Sequence, residues 1–178
     1  MKKLCWVLGI LLIVAVLQGC YSASPTPPPQ PSPTPLTIEL KTDKNTYRIG
    51  ELIVFTIRAS RECYVSLYDT TTQGEVFQIF PNRYAKNNLL DGNQVYRIPD
   101  TSDEFDFEVT GPPGIERVRV VGTIQNVNVV DQQKVVPTEK FPKINQSADQ
   151  FDKSVSAKLH SMPEEQWAEA TITIRIVK

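Results

Sequence analysis

The sequence predicts a mainly-β chain: an antiparallel β-sandwich with one amphipathic helix near its C-terminus, preceded by a signal peptide and a proline-rich tether. Three observations carry that expectation. Between residues 36 and 177, short runs alternate apolar and polar side chains with a period of two, the mark of strands with one buried face. Glycine, proline and asparagine interrupt those runs at roughly the 8–12 residue spacing of an all-β domain. One stretch breaks the rule: Phe151, Val155 and Leu159 stand four apart, which places them on one helical face.

The chain divides into residues 1–19, 20–36 and 37–178. Met1-Lys2-Lys3 is a cationic start, and Leu4–Leu17 is almost wholly apolar. That run suits a signal-peptide core and is short for a membrane-spanning helix, which needs roughly 20 apolar residues. It ends in Leu17-Gln18-Gly19-Cys20. An apolar residue, any residue, a small residue and cysteine directly after such a core resemble the lipobox of bacterial lipoproteins. The resemblance implies cleavage between Gly19 and Cys20 and acylation of Cys20, hence attachment to a membrane. Tyr21 stands where lipoproteins retained at the inner membrane carry aspartate, which implies the outer membrane and a cell-envelope location. Residues 22–35, SASPTPPPQPSPTP, hold half of the chain's 14 prolines. Such a segment forms extended polyproline II and, counted from Cys20, would set the domain about 40–50 Å from the bilayer.

Charge and cysteine content narrow the possibilities. Cleavage removes Lys2 and Lys3 from 19 basic residues and none of the 20 acidic ones, so the remainder is mildly acidic. Its basic residues are scattered, which argues against a nucleic-acid partner. With Cys5 in the signal and Cys20 lipidated, Cys63 is left alone. No internal disulfide is expected, and the fold must rest on its core.

Residues 36–41 place Leu36, Ile38 and Leu40 on one face. Residues 43–50, DKNTYRIG, read as a polar connection containing Tyr47 and Ile49. Residues 51–59 read as one strand with Ile53, Phe55, Ile57 and Ala59 inward. Residues 63–80 read as a hairpin: Cys63, Val65, Leu67 and Asp69 share the first strand's apolar face, and residues 70–74 turn into a second run closed by Pro81-Asn82. A two-stranded ribbon is not stable alone, so the other strands must cover it. Residues 83–92 are a polar loop. Residues 93–98 form a short strand ended by Pro99, and 104–109 place Phe105, Phe107 and Val109 opposite Asp106 and Glu108. After the turn TGPPG at 110–114, residues 116–123 place Val118, Val120 and Gly122 opposite Arg117, Arg119 and Val121. Residues 124–145 read either as a small hairpin or as a long excursion. Ser147-x-x-Gln150 is a capping box opening the helix of 148–161. Residues 170–177 form the last strand, with Ile172, Ile174 and Ile176 inward. The pattern is immunoglobulin-like.

Several pieces occur in order: Tyr47-x-Ile49-Gly50-Glu51, Cys63-Tyr64-Val65-x-Leu67-Tyr68, Gly74-x-Val76, Ile79-Phe80-Pro81-Asn82, Asn88, Tyr96-x-Ile98-Pro99 and Gly111-Pro112-x-Gly114-x-Glu116. Together they resemble the domain of unknown function 4384 family over about residues 45–125. The resemblance implies an accessory or interaction role and supplies no catalytic residues. Gly50 and Gly114 suit positive φ, and Pro81 and Pro99 suit strand ends. Tyr64 and Tyr68 share a face and serve either sheet packing or an aromatic surface.

Little chemistry is evident. His160 is the single histidine, placed where a helix C-terminus favours a cation. Cys63 with His160 as base would be the one thiol arrangement available, but Cys63 lies on an apolar strand face, where a thiol is inert. Asp100, Asp103, Glu104, Asp106 and Glu108 form an acidic cluster that reads as a solvated edge or a Ca²⁺ site without EF-hand spacing. Asp69 has no evident partner. No cofactor and no metal are expected. The expectation is a lipid-anchored, non-catalytic module for a protein or envelope partner, with Arg83, Tyr84, Asn87 and Asn88 in the loop and Pro112 and Pro113 in the turn as the candidate surface. The alternatives are an accessory lipoprotein of a secretion or envelope machine, and a Cys63-dependent enzyme.

Overall fold

The structure, a computed structural model, describes residues 34–178 apart from Glu139. The expected signal peptide, Gly19 and Cys20, and the expected tether before Thr34 lie outside the described residues. In chain order the strands are β1 Ile38–Lys41, β2 Thr46–Arg48, β3 Leu52–Ile53, β4 Phe55–Ala59, β5 Cys63–Thr70, β6 Val76–Phe80, β7 Leu89–Leu90, β8 Val95–Ile98, β9 Phe107–Glu108, β10 Gly114–Thr123, β11 Val135–Val136, β12 Lys143–Ile144 and β13 Trp167–Val177. Among the described residues, one α-helix, α1, spans Ala148–His160.

The domain is mainly β, as the alternation predicted. A large sheet runs β11-β12-β6-β5-β10-β13-β2, with β7 also pairing β5. A three-stranded sheet, β1-β4-β8, and the two-stranded β3-β9 are separate from it. Every pairing is antiparallel except that of β13 with β2, which is parallel. The main core lies between the sheets. Ile38, Leu40, Phe55, Ile57 and Ile98 come from the small sheet, and Cys63, Val65, Leu67, Val118, Val120, Ile174 and Ile176 from the large one. Such facing apolar sets exclude water over a continuous area, at roughly 25 cal/mol per Å² of apolar surface removed.

Four sequence expectations are corrected here. The run 51–59 is not one strand. It breaks at Val54: β3 pairs β9, whereas β4 pairs β1 and β8. Inward alternation survives the break, since Ile53, Phe55, Ile57 and Ala59 are all buried. The polar connection 43–50 contains β2, whose Tyr47 is buried and donates its hydroxyl proton to Asp43. Ile49 is exposed at the end of that edge strand, where its N–H donates to the Val177 carbonyl. The loop 83–92 contains β7, which pairs Cys63 and Tyr64. Finally, Gly50 has φ 88°, but Gly114 does not have positive φ; Gly111, also at 88°, takes the turn position. Gly114 is required for space instead, because a Cβ there would meet Thr72 Cβ and Cγ2 at 3.0 Å.

The large sheet is covered on both faces. Tyr68, Val76 and Val121 on its second face pack against Phe151, Val155 and Leu159 of α1. Tyr68 and Phe151 lie 5.1 Å apart between ring centroids, so this tyrosine serves packing. The capping box forms as expected, with Ser147 and Gln150 bonding each other's backbone N–H. Arg119 and Val121, on the face opposite Val118 and Val120, are therefore buried beneath the helix. Arg119 meets that burial with partners on two elements: its guanidinium donates to Glu169 at 2.8 Å, to Asp152 at 3.3 Å and to Ser156 at 3.1 Å. Arg117 adds a 2.8 Å bond to Asp152. The stretch 124–146 is largely a covering excursion. Val129 and Val130 are buried in the helix-side core, and β11 and β12 extend the sheet beside β6.

Candidate functional site

Because side chains alternate along a strand, Asp69 falls on the same inward face as Cys63, Val65 and Leu67. It is the last member of that face on β5. Directly across from it stand Phe77 on β6 and Val118 on β10. Glu116 occupies the next inward position on β10, diagonal to Asp69, a placement that sets side-chain positions roughly 7–8 Å apart. Its cross-strand neighbour is Ile174. Two carboxyl groups thus point into the end of an apolar interlayer.

They line a cavity of about 430 Å³. Its floor and walls are Phe55, Phe77, Phe107 and Phe141 with Ile79, Val118 and Ile174, and its rim carries Glu75, Asp106, Glu108 and Lys140. Three of the rings are linked through Phe107. Phe107 lies 5.6 Å from Phe55 and 5.4 Å from Phe141, centroid to centroid. Two turns form the lip: residues 70–74, and residues 110–114 with Gly111 in the left-handed region. Thr72 packs against Gly114, which is how the second turn holds the first.

The polar groups here are incompletely satisfied. Asp69 Oδ1 and Thr72 Oγ1 are both buried without a hydrogen-bond partner. Burial pushes the Asp69 carboxyl up to about 8, with the nearby Glu116 charge adding to the effect. Burial also raises Glu116, partly offset by a hydrogen bond from the Thr72 amide. A buried polar atom without a partner costs about 1–3 kcal/mol, and native folds leave few of them. The Lys143 ammonium is engaged elsewhere, 2.6 Å from Glu75.

The candidate surface drawn from the sequence is only partly brought together. Pro112 lines the cavity lip, whereas Pro113 is exposed and does not. Tyr84 is half-exposed and stacks on Phe105 at 5.7 Å, and Phe105 contacts Phe107 at 5.3 Å, so the loop is joined to the cavity wall through aromatic rings. Arg83 sits over the Tyr84 ring at 5.0 Å. Asn88 belongs to the sheet rather than to a surface: its side chain donates to Val65 at 3.0 Å, and its carbonyl accepts from the Val65 amide at 2.8 Å. Asn87 is exposed and bonds the Leu89 amide. Asn82, not singled out from the sequence, is buried and shapes the loop by accepting from the amides of Tyr84 and Ala85.

Cys63 is fully buried, and burial pushes its thiol up to about 11. It faces the main core, while α1 and His160 lie across the sheet; His160 bonds Ser156 O and packs on Trp167 at 5.3 Å. Asp100 and Asp103 close a local turn, with Asp103 accepting from the Asp100 amide. Among the described residues, no three acidic, cysteine or histidine side chains could hold a metal ion together. Among the same residues, no helix is long and apolar enough to cross a membrane. Glu116 and Thr72 escaped the sequence reading. The available signal was parity: Glu116 shares the inward register of Val118 and Val120.

The fold and this cavity define a class, a mainly-β domain with an acidic, aromatic-walled cleft between its sheets. Residues 46–126 match the family described as Domain of unknown function (DUF4384), and the chain therefore carries a DUF4384-like domain. No curated protein and no solved structure matches the chain. The matched segment contains both turns of the lip together with Asp69, Glu116 and Thr72, so the cavity belongs mostly to the shared domain.

Proposed function

We propose that this protein is a membrane-anchored envelope lipoprotein whose β-domain is a non-catalytic binding or assembly module for a protein or envelope component. The observation that carries the binding part is the interlayer cavity: a preformed concave site with aromatic walls and unpartnered buried polar atoms is the form a recognition pocket takes. The anchoring part rests on the apolar run of residues 4–17 and on Leu17-Gln18-Gly19-Cys20. The tether would let the domain reach a partner away from the bilayer. Burial of Cys63 supports the non-catalytic reading. One specific form is an accessory lipoprotein of a secretion or envelope machine.

The test is affinity capture from detergent-solubilised envelopes with wild type and Cys20→Ala, read by mass spectrometry. A stoichiometric partner retained by wild type and lost with the anchor supports the assembly role. Clean lanes for both proteins would remove the protein-partner reading.

A further inference from the structure

We propose that the cavity between Asp69 and Glu116 binds an ammonium group carried on an apolar or aromatic stem. This inference rests on the binding-module reading and names its ligand chemistry. Two inward carboxyl groups, Asp69 and Glu116, and the Thr72 hydroxyl line the site beside its lip. The strand register places them there, since Asp69 faces Val118 and Glu116 lies two positions along the same strand. Asp69 Oδ1 and Thr72 Oγ1 offer acceptors that nothing among the described residues uses. An ammonium has three donors and no acceptor, so it complements such a set.

The walls select the rest of the ligand. Four phenyl rings, Phe55, Phe77, Phe107 and Phe141, enclose the space beside the carboxyls. Aromatic faces attract cations, and desolvation strengthens the attraction. The same rings would cover a hydrocarbon or aryl stem. They disfavour a hydrated divalent ion, which needs six or more oxygens at short distance. The volume of about 430 Å³ admits a small amine or a lysine side chain with room to spare.

Protonation supplies an independent readout. Burial holds the Asp69 carboxyl in its protonated form to about pH 8, so a cation entering below that pH must displace a proton. Among the described residues, the charged groups facing this pocket are Glu116 from β10, Glu75 at the base of β6, Asp106 and Glu108 from the β9 segment, and Lys140 next to Phe141. Glu75 is already paired with Lys143. The acidic excess makes the pocket more attractive to cations as Asp69 ionises.

The experiment is isothermal titration of the full chain in a mild detergent, using 2-phenylethylammonium, its neutral isostere 2-phenylethanol, N-acetyl-lysine methylamide and calcium chloride. We expect saturable binding of an ammonium probe at least tenfold tighter than the alcohol. Affinity should rise roughly tenfold per pH unit from pH 6 toward 8, and Asp69→Asn should abolish that rise. Tighter binding of 2-phenylethylammonium assigns a free aromatic amine, and tighter binding of the lysine derivative assigns a partner's side chain. Equal binding of ammonium and alcohol, or binding of calcium alone, overturns the proposal, and the probe comparison on wild type does not depend on how any variant folds. An envelope partner captured equally by wild type and Asp69→Asn, with no ammonium binding, would leave the binding module standing and remove only the cation site.

Discussion

Replacing Asp69 by asparagine should make the domain more stable at neutral and alkaline pH and flatten its pH dependence. Asp69 lies between Phe77 and Val118 with one oxygen unpartnered, so the fold favours its protonated form. Its carboxyl moves from the ordinary 3.8 up to about 8. A carboxyl raised on folding binds its proton more tightly in the native state than in the unfolded chain. Its contribution is therefore fully present below pH 4 and is lost progressively as pH rises to about 8. The steepest possible loss is about 1.4 kcal/mol per pH unit. Asp69 keeps some contact with solvent at the cavity mouth, so about half that slope is expected, or ~2 kcal/mol between pH 5 and 8. Paired surface carboxylates act in the opposite sense and elsewhere on the scale. Hydrogen bonds from Lys41, Tyr47 and Lys44 hold Glu39, Asp43 and Glu51 below their ordinary values, so their contributions are lost only as pH falls into the acid range. The assay is urea unfolding of wild type and Asp69→Asn at pH 5, 6, 7 and 8, with the denaturant slopes compared to confirm that the same surface is exposed. The substitution keeps the side chain's size, and the new amide N–H can donate toward Glu116. Parallel curves for the two proteins, or a wild-type advantage that grows with pH, would falsify the account of a desolvated carboxyl.

Three further outcomes follow from the same geometry. Arg119→Ala removes a buried guanidinium with its bonds to Glu169, Asp152 and Ser156, while Asp152 keeps Arg117, and should cost about 1–2 kcal/mol in urea unfolding; a loss under ~0.5 kcal/mol would mean that the network is a solvated surface pair. Gly114→Val places atoms against Thr72 at 3.0 Å and should lower the unfolding midpoint by a loss of about 1–3 kcal/mol while disturbing the cavity lip, visible as amide shifts at residues 70–74; an unshifted lip would show that the turns do not depend on each other. Native Cys63 should resist a thiol reagent at pH 8 and react at once in urea, because the thiol is buried and held protonated up to about pH 11; fast native labelling would restore a thiol-dependent activity as a reading.

Local pattern was enough to place most strands. The alternation through Cys63, Val65, Leu67 and Asp69, the parity of Val118 and Val120, and the four-residue spacing of Phe151, Val155 and Leu159 each express a local period, and each element formed where that period placed it. The short pieces were less legible. Two or three residues such as β2, β3, β7 and β9 have too little sequence to show a period, and only their pairing partners make them strands. For the same reason the break at Val54 was hidden: both halves keep one alternation while joining different sheets.

The sequence by itself determined that the domain is β-rich, which strand faces turn inward, where the helix begins, and that Cys63 has no cysteine partner among the residues following Cys20. These are properties of neighbouring residues and of composition. Only the tertiary structure decided that Val121 and Arg119 are covered by α1, that Gly111 rather than Gly114 takes the left-handed turn, and that Asp69 and Glu116 share one cavity. Asp69 and Glu116 are far apart in the chain and meet through the antiparallel pairing of β5 with β10. A one-residue change of register would turn one carboxyl to the opposite face. The site is therefore a property of strand register, which depends on how every strand packs and not on any local motif.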